Sequence, residues 1–108
     1  MVGAHSPTQH GRTPLHFAAA NGHADVVKGF CDMKGIELNI QTIGDETPLH
    51  KAIQFSRAPC VKILLEKGAD PFIRNKLDQN AFVLAKIYNN EHVKHVLDEY
   101  SSAHGITP

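Results

Sequence analysis

The chain has 108 residues, enough for one domain around one core, and 11 Lys plus Arg balance 11 Asp plus Glu, so its formal net charge is zero. That balance argues against strong nucleic-acid binding, which needs clustered cations to neutralise phosphates, and against a polybasic membrane surface. No apolar run approaches the roughly 20 residues of a spanning helix, and the opening MVGAHSPTQH lacks the basic and apolar regions of a signal peptide.

The first predicted helix covers 14–21. Thr13 is placed as its N-cap, with Pro14 at the following position, where a missing N–H costs nothing. A second helix covers 24–33 and stops at Gly35, because glycine takes the left-handed conformation freely. The segment IELNIQTIGDE then mixes β-branched residues with Asn, Gly and Asp, as a short hairpin or extended turn does. Helices are predicted at 48–55, again behind Thr-Pro, and at 59–67, ending at Gly68. A second turn segment, ADPFIRNKLDQ, leads to helices at 81–88 and 91–100. In the last, Val93, Val96, Leu97 and Tyr100 keep the i, i+3, i+4, i+7 spacing of one buried face. SSAHGITP remains as a tail over 101–108.

These elements repeat. TPLH occurs at 13–16 and at 47–50, 34 residues apart, and a further 33 residues reaches Asn80. Gly22, Ser56 and Asn89 fall at the same place, between the two helices of each unit. The extra residue of the first unit belongs near Lys34 and Gly35. One helix pair of this length cannot bury its apolar stripe alone, so neighbouring pairs must supply the other wall. At about 25 cal/mol per Å² of apolar area, each such contact is worth several kcal/mol.

The period, the TPLH, the AANGH at 19–23 and the LLEKGADP at 64–71 together resemble the ankyrin repeat, from about Thr8 to Tyr100. The third unit departs most, with Asn80, Ala81 and Val83 in place of Thr, Pro and His. The resemblance implies a single all-α domain over 1–108: a solenoid of about three helix-turn-helix repeats, at 8–40, 41–73 and 74–100, joined by short hairpin loops. It also implies a protein–protein interaction module rather than an enzyme, with no cofactor, no nucleic acid and no membrane insertion. A monomer in the cytoplasm or nucleus fits it. Two other roles stay open: an inhibitor docking on an enzyme, or a regulatory or targeting segment of a larger enzyme, channel or receptor.

No residue set suggests chemistry. The resemblance makes His16 and His50 structural, bonded to the Thr and nearby backbone, and His23 likewise. His92 and His95 lie three apart on one helix but have no third ligand at convincing spacing, so no metal site is expected. Cys31 and Cys60 fall in apolar helical patterns, as buried free thiols do, which suits a reducing, intracellular compartment. No G-x-S-x-G, P-loop or G-x-G-x-x-G motif occurs, and the adjacent carboxylates Asp45 and Glu46 read as a polar turn tip.

The family meets its partners with hairpin tips and the concave side of the first helices. Mapped here, the tips supply Gln9, His10 and Arg12, then Ile43, Asp45 and Glu46, then Lys76, Leu77 and Gln79. The concave helix ends supply Asn21, Gln54 with Phe55, and Ile87 with Tyr88. Ile43 and Leu77 align at an offset of 34, and Phe55 and Tyr88 at 33. Two aromatics and two aliphatics on one face make an apolar patch of the kind that marks interfaces, or the rings simply pack on each other.

The closing HGITP echoes the HGRTP that opens the first unit. It is either the start of a further, shortened unit or a chance echo in a terminal tail. The polar Lys94, His95, Asp98 and Glu99 suit a capping repeat, whereas Val26 and Val27 leave the first unit less protected.

Overall fold

The computed structural model describes residues 11–105. Among these lie six helices and no strand: α1 (Pro14–Ala20), α2 (Ala24–Cys31), α3 (Pro48–Gln54), α4 (Ala58–Glu66), α5 (Ala81–Tyr88) and α6 (Glu91–Ala103). They form three antiparallel pairs stacked in two layers. The inner helices α1, α3 and α5 pack in sequence, and the outer helices α2, α4 and α6 do the same.

Thr13, Thr47 and Asn80 start α1, α3 and α5 equivalently. Each has an extended backbone, and each side chain accepts the N–H three residues on. An extended cap with a side-chain acceptor satisfies one of the four N–H groups a helix leaves open. Each inner helix then hands over to its outer partner through one left-handed residue: Gly22 at φ 74, Ser56 at φ 57 and Asn89 at φ 51. Gly22 takes this conformation without strain, and a Cβ there would sit 2.9 Å from Arg57 Cδ, so the Arg57 side chain would have to move aside. At the end of α4, the Ala69 N–H reaches the Leu64 carbonyl at 2.9 Å across Gly68, the closure expected of a helix stopped by a left-handed glycine.

The core runs between the layers as one strip. Leu15, Val27, Leu49, Ile53, Val61, Leu64, Leu84, Val93 and Leu97 are buried along it. Cys60 is buried within it and Cys31 half-buried at its edge, both as free thiols. Burial pushes both thiols up from their ordinary value, which leaves them protonated and poorly nucleophilic.

The predicted helices agree with those observed to within a few residues. The largest difference is α6, which continues to Ala103, so the first three residues of the expected tail are helical. Ser101 is buried one turn beyond Leu97, and that packing outweighs the indifferent helix propensity of two serines.

Candidate protein-binding surface

Each of the two described hairpin tips is a three-residue turn with a fixed shape. The Asp45 N–H bonds the Thr42 carbonyl and the Thr42 N–H bonds the Glu46 carbonyl, both at 2.9 Å. The next tip repeats this with Asp78 N–H to Asn75 carbonyl at 2.9 Å and Asn75 N–H to Gln79 carbonyl at 3.1 Å. Asp45 and Asp78 take left-handed φ values of 60 and 62, a conformation that Asp tolerates better than most residues. Thr42 Oγ1 accepts the Gly44 and Glu46 N–H groups, and Asn75 Oδ1 accepts those of Leu77 and Gln79. The Lys76 N–H then bonds the Gly44 carbonyl at 3.0 Å, tying tip to tip.

The matched Asp45 and Asp78 fix the register and correct the expected pairing of Ile43 with Leu77. Ile43 is equivalent to Lys76, and Leu77 to Gly44. Both aliphatic side chains are nevertheless strongly exposed, Ile43 at 67% and Leu77 at 76%.

His16 and His50 have the structural role expected of them, and one more besides. The Thr13 N–H donates to His16 Nδ1 at 3.1 Å, and Thr13 Oγ1 lies 2.9 Å from the same nitrogen. Nε2 lies 2.9 Å from the Glu46 carbonyl of the following unit. A carbonyl only accepts, so the proton sits on Nε2 and the ring is neutral. His50 repeats the pattern, with Thr47 on one side and the Gln79 carbonyl at 2.8 Å on the other. Burial lowers both imidazoles from their ordinary value, against the carbonyl hydrogen bonds, which favour the charged form. His23 differs from expectation: it is exposed and its side chain makes no capping bond to α2.

Several of the expected partner-binding residues meet in one place. Arg12, Asn21 and Phe55 line a groove of about 230 Å³ between α1 and α3, together with Phe17, Ala20 and Lys51. The Arg12 guanidinium carbon lies 5.6 Å from the centre of the Phe17 ring, within cation–π range. Arg12, Ile43, Glu46 and Lys51 line a second, shallower depression beside the first described tip. Glu46 does more than cap a polar turn: Lys51 Nζ pairs with it at 2.8 Å, and the Gln54 side-chain amide donates to its other oxygen. Burial works against the charge of Glu46, but the bonds from Lys51 and Gln54 outweigh it and hold the carboxyl below its usual value.

Lys76, Leu77, Gln79, Ile87 and Tyr88 stand apart from the groove that Phe55 lines. Phe55 is 55% and Tyr88 48% exposed, and their two rings form no stacked or tilted pair; the ring pairs among the described residues are Phe72–Phe82 and Tyr100–His104. Lys76 is exposed at its tip. Gln79 is half-buried, its side-chain carbonyl accepting the Asn75 amide at 2.9 Å. Gln9 and His10, and the Ile106 to Pro108 part of the HGITP echo, lie outside the described residues. Sequence reasoning missed Phe17 and Lys51. They occupy the same position, directly after each TPLH, and that equivalence was the available signal.

Other chemistry finds no constellation. No group of three or more His, Cys, Asp or Glu among the described residues could hold a metal ion; His95 lies instead 3.2 Å from Glu99 on the surface of α6. No helix among them is long and apolar enough to cross a membrane.

Known proteins share this pattern. A family model described as "Ankyrin repeats (3 copies)" matches residues 2–75. A putative ankyrin repeat protein of Rickettsia bellii (strain RML369-C) is 35% identical over 94 residues, covering 86% of this chain and 52% of its own length. The E3 ubiquitin-protein ligase KEG of Arabidopsis thaliana is 39% identical over 77 residues, 71% of this chain but 5% of the ligase. Protein phosphatase 1 regulatory subunit 12A of Mus musculus is 36% identical over 75 residues, 69% of this chain and 7% of that subunit. The chain thus spans from about half to a small fraction of the relatives it resembles. With three stacked helix pairs, inner helices capped by Thr or Asn, tip-bonded hairpins and this match over most of its length, the chain belongs to the ankyrin repeat family.

Proposed function

We propose that this chain is a docking module that receives a partner protein on its hairpin tips and on the concave side of its inner helices. Ankyrin repeats are in general protein–protein interaction modules, built on a non-catalytic fold. The observation that carries the reading here is the exposed apolar set beside the rigid tips: Phe17, Ile43, Phe55, Leu77, Ile87 and Tyr88 are each between 41% and 76% exposed. Surfaces of that kind mark interaction sites, and aromatics are enriched among binding hot spots. Arg12, Asn21, Glu46, Gln54, Lys76 and Gln79 supply the polar surround. The free thiols Cys31 and Cys60 favour a reducing, intracellular setting, and a monomer suffices for this role.

The test is affinity capture from a lysate with the wild-type chain and the Phe55→Ala/Tyr88→Ala double variant, alongside thermal melts of both. The expected result is loss of the captured partner with a nearly unchanged melting temperature, because both side chains are half-exposed. A large drop in melting temperature would make them packing residues instead. A second reading follows from the share of the relatives that the chain covers, 5% of the Arabidopsis ligase and 7% of the phosphatase subunit: the same docking surface serving as a regulatory or targeting segment within a larger protein.

A further inference from the structure

The groove between α1 and α3 has a definite chemistry. Its apolar lining is Phe17, Ala20 and Phe55, and His16 also borders it. At 230 Å³ it is smaller than the roughly 300–1,000 Å³ of sites that hold drug-sized ligands, and it suits one bulky side chain. Its rim is cationic. Arg12 and Lys51 line it, and Arg57, outside the lining itself, donates from its Nε to the carbonyl of the lining residue Ala20 at 3.0 Å. Lys51 is paired with Glu46, which lines the neighbouring depression and also accepts from Gln54.

The two layers differ in the same sense. The inner helices α1, α3 and α5 carry Lys51 and Lys86 and no carboxylate. The outer helices carry Asp25, Glu66, Glu91, Asp98 and Glu99 against Lys28, Lys62 and Lys94. A chain of zero formal charge is therefore polarised across its thickness. Such a field steers partners of opposite sign and sets the orientation in which they arrive.

We infer that the α1/α3 groove takes an acidic peptide segment of the partner: an apolar side chain seated between Phe17 and Phe55, with a neighbouring Asp or Glu held by Arg12, Lys51 and Arg57. This rests on the docking reading above and adds the character of the docked segment. Nucleic acid is the disfavoured guest, because three rim cations around a one-residue apolar slot give no track for a phosphate backbone.

The test is selection of a random dodecapeptide display library on the folded chain, followed by affinity measurements with the synthesised winners. The variants are Phe55→Ala, the rim triple Arg12→Gln/Lys51→Gln/Arg57→Gln and the outer-face control Lys62→Gln, each checked by thermal melting. The expected winners carry Asp or Glu next to a bulky apolar residue. Their affinity falls about tenfold or more in the rim variant, falls in Phe55→Ala, weakens with added salt and is unchanged in Lys62→Gln. Winners that are neutral or basic, lost in Phe55→Ala but indifferent to the rim variant, overturn the acidic-segment inference and leave the docking reading standing. Winners indifferent to Phe55→Ala, or an unenriched library, overturn both. Saturable binding of a fluorescent oligothymidylate that the rim variant abolishes overturns the inference in favour of phosphate recognition.

Discussion

The second and third repeats begin their inner helices in different ways. In the second, His50 closes the cap of its own helix through Nδ1 and bonds the Gln79 carbonyl of the next hairpin through Nε2. In the third, Asn80 caps α5 by accepting the Val83 N–H at 3.0 Å, and Val83 stands where the histidine would be, 37% exposed. Both designs cap their helix, the first through a reciprocal pair of bonds and the second through one. Only the first also fastens one repeat to another. The histidine is thus a coupling residue, and its place can be taken by valine where no hairpin carbonyl of a following unit stands opposite among the described residues.

Four measurements break or sharpen that contrast. The largest effect belongs to His50→Ala, which empties a fully buried site, removes the His50 bond to the Gln79 carbonyl, leaving that carbonyl the Asn75 N–H alone, and removes the acceptor of the Thr47 N–H. Urea unfolding should show a loss of about 2–4 kcal/mol, with a broadened transition if the third unit melts separately.

Acidification acts on the same coupling without mutation. His16 and His50 have folded pKa values below the ordinary 6.5, so the unfolded chain binds protons first as pH falls. Stability should therefore be complete above about 6.5, decline as pH drops below it, and level off beneath the folded values. A His16→Gln/His50→Gln variant should start lower and lose this slope. A slope of the same size in that variant would assign it to other groups.

Asn80→Ala tests the simpler design. Losing a cap without losing a coupling should cost about 1 kcal/mol, read by the same urea curves. The smallest effect is expected of Val83→His, within about 0.5 kcal/mol of wild type, because the described residues place no carbonyl of a following hairpin opposite its ring. A clear stabilisation there would mean that the ring finds a partner the described residues do not offer.

Much of this was legible in the sequence, and the limits are instructive. Thr13, Thr47 and Asn80 were placed as equivalent helix starts, because capping is local chemistry written in adjacent residues. Gly22, Ser56 and Asn89 were placed at one turn by counting, although only the first announces a left-handed backbone. One failure comes from counting with the wrong period: Ile43 and Leu77 align at the first unit's 34, whereas the second spans 33, as the shared backbone of Asp45 and Asp78 makes plain. Other failures were tertiary. Nothing near Lys51 in the sequence says that its ammonium meets Glu46, or that Arg12 lies over Phe17. Gln79 counted as a surface residue because tips are polar, while its amide in fact completes the fold of its own turn. His23 counted as structural because its neighbours in the motif are, yet it caps nothing.

The bond from Lys76 N–H to the Gly44 carbonyl bears on how a guest is gripped. It webs two neighbouring fingers at the knuckle, so a visitor that pushes one aside must drag the other along. Such a hand accommodates by tilting as a whole rather than by moulding itself finger by finger, and it favours visitors whose bumps already match the distance between knuckles.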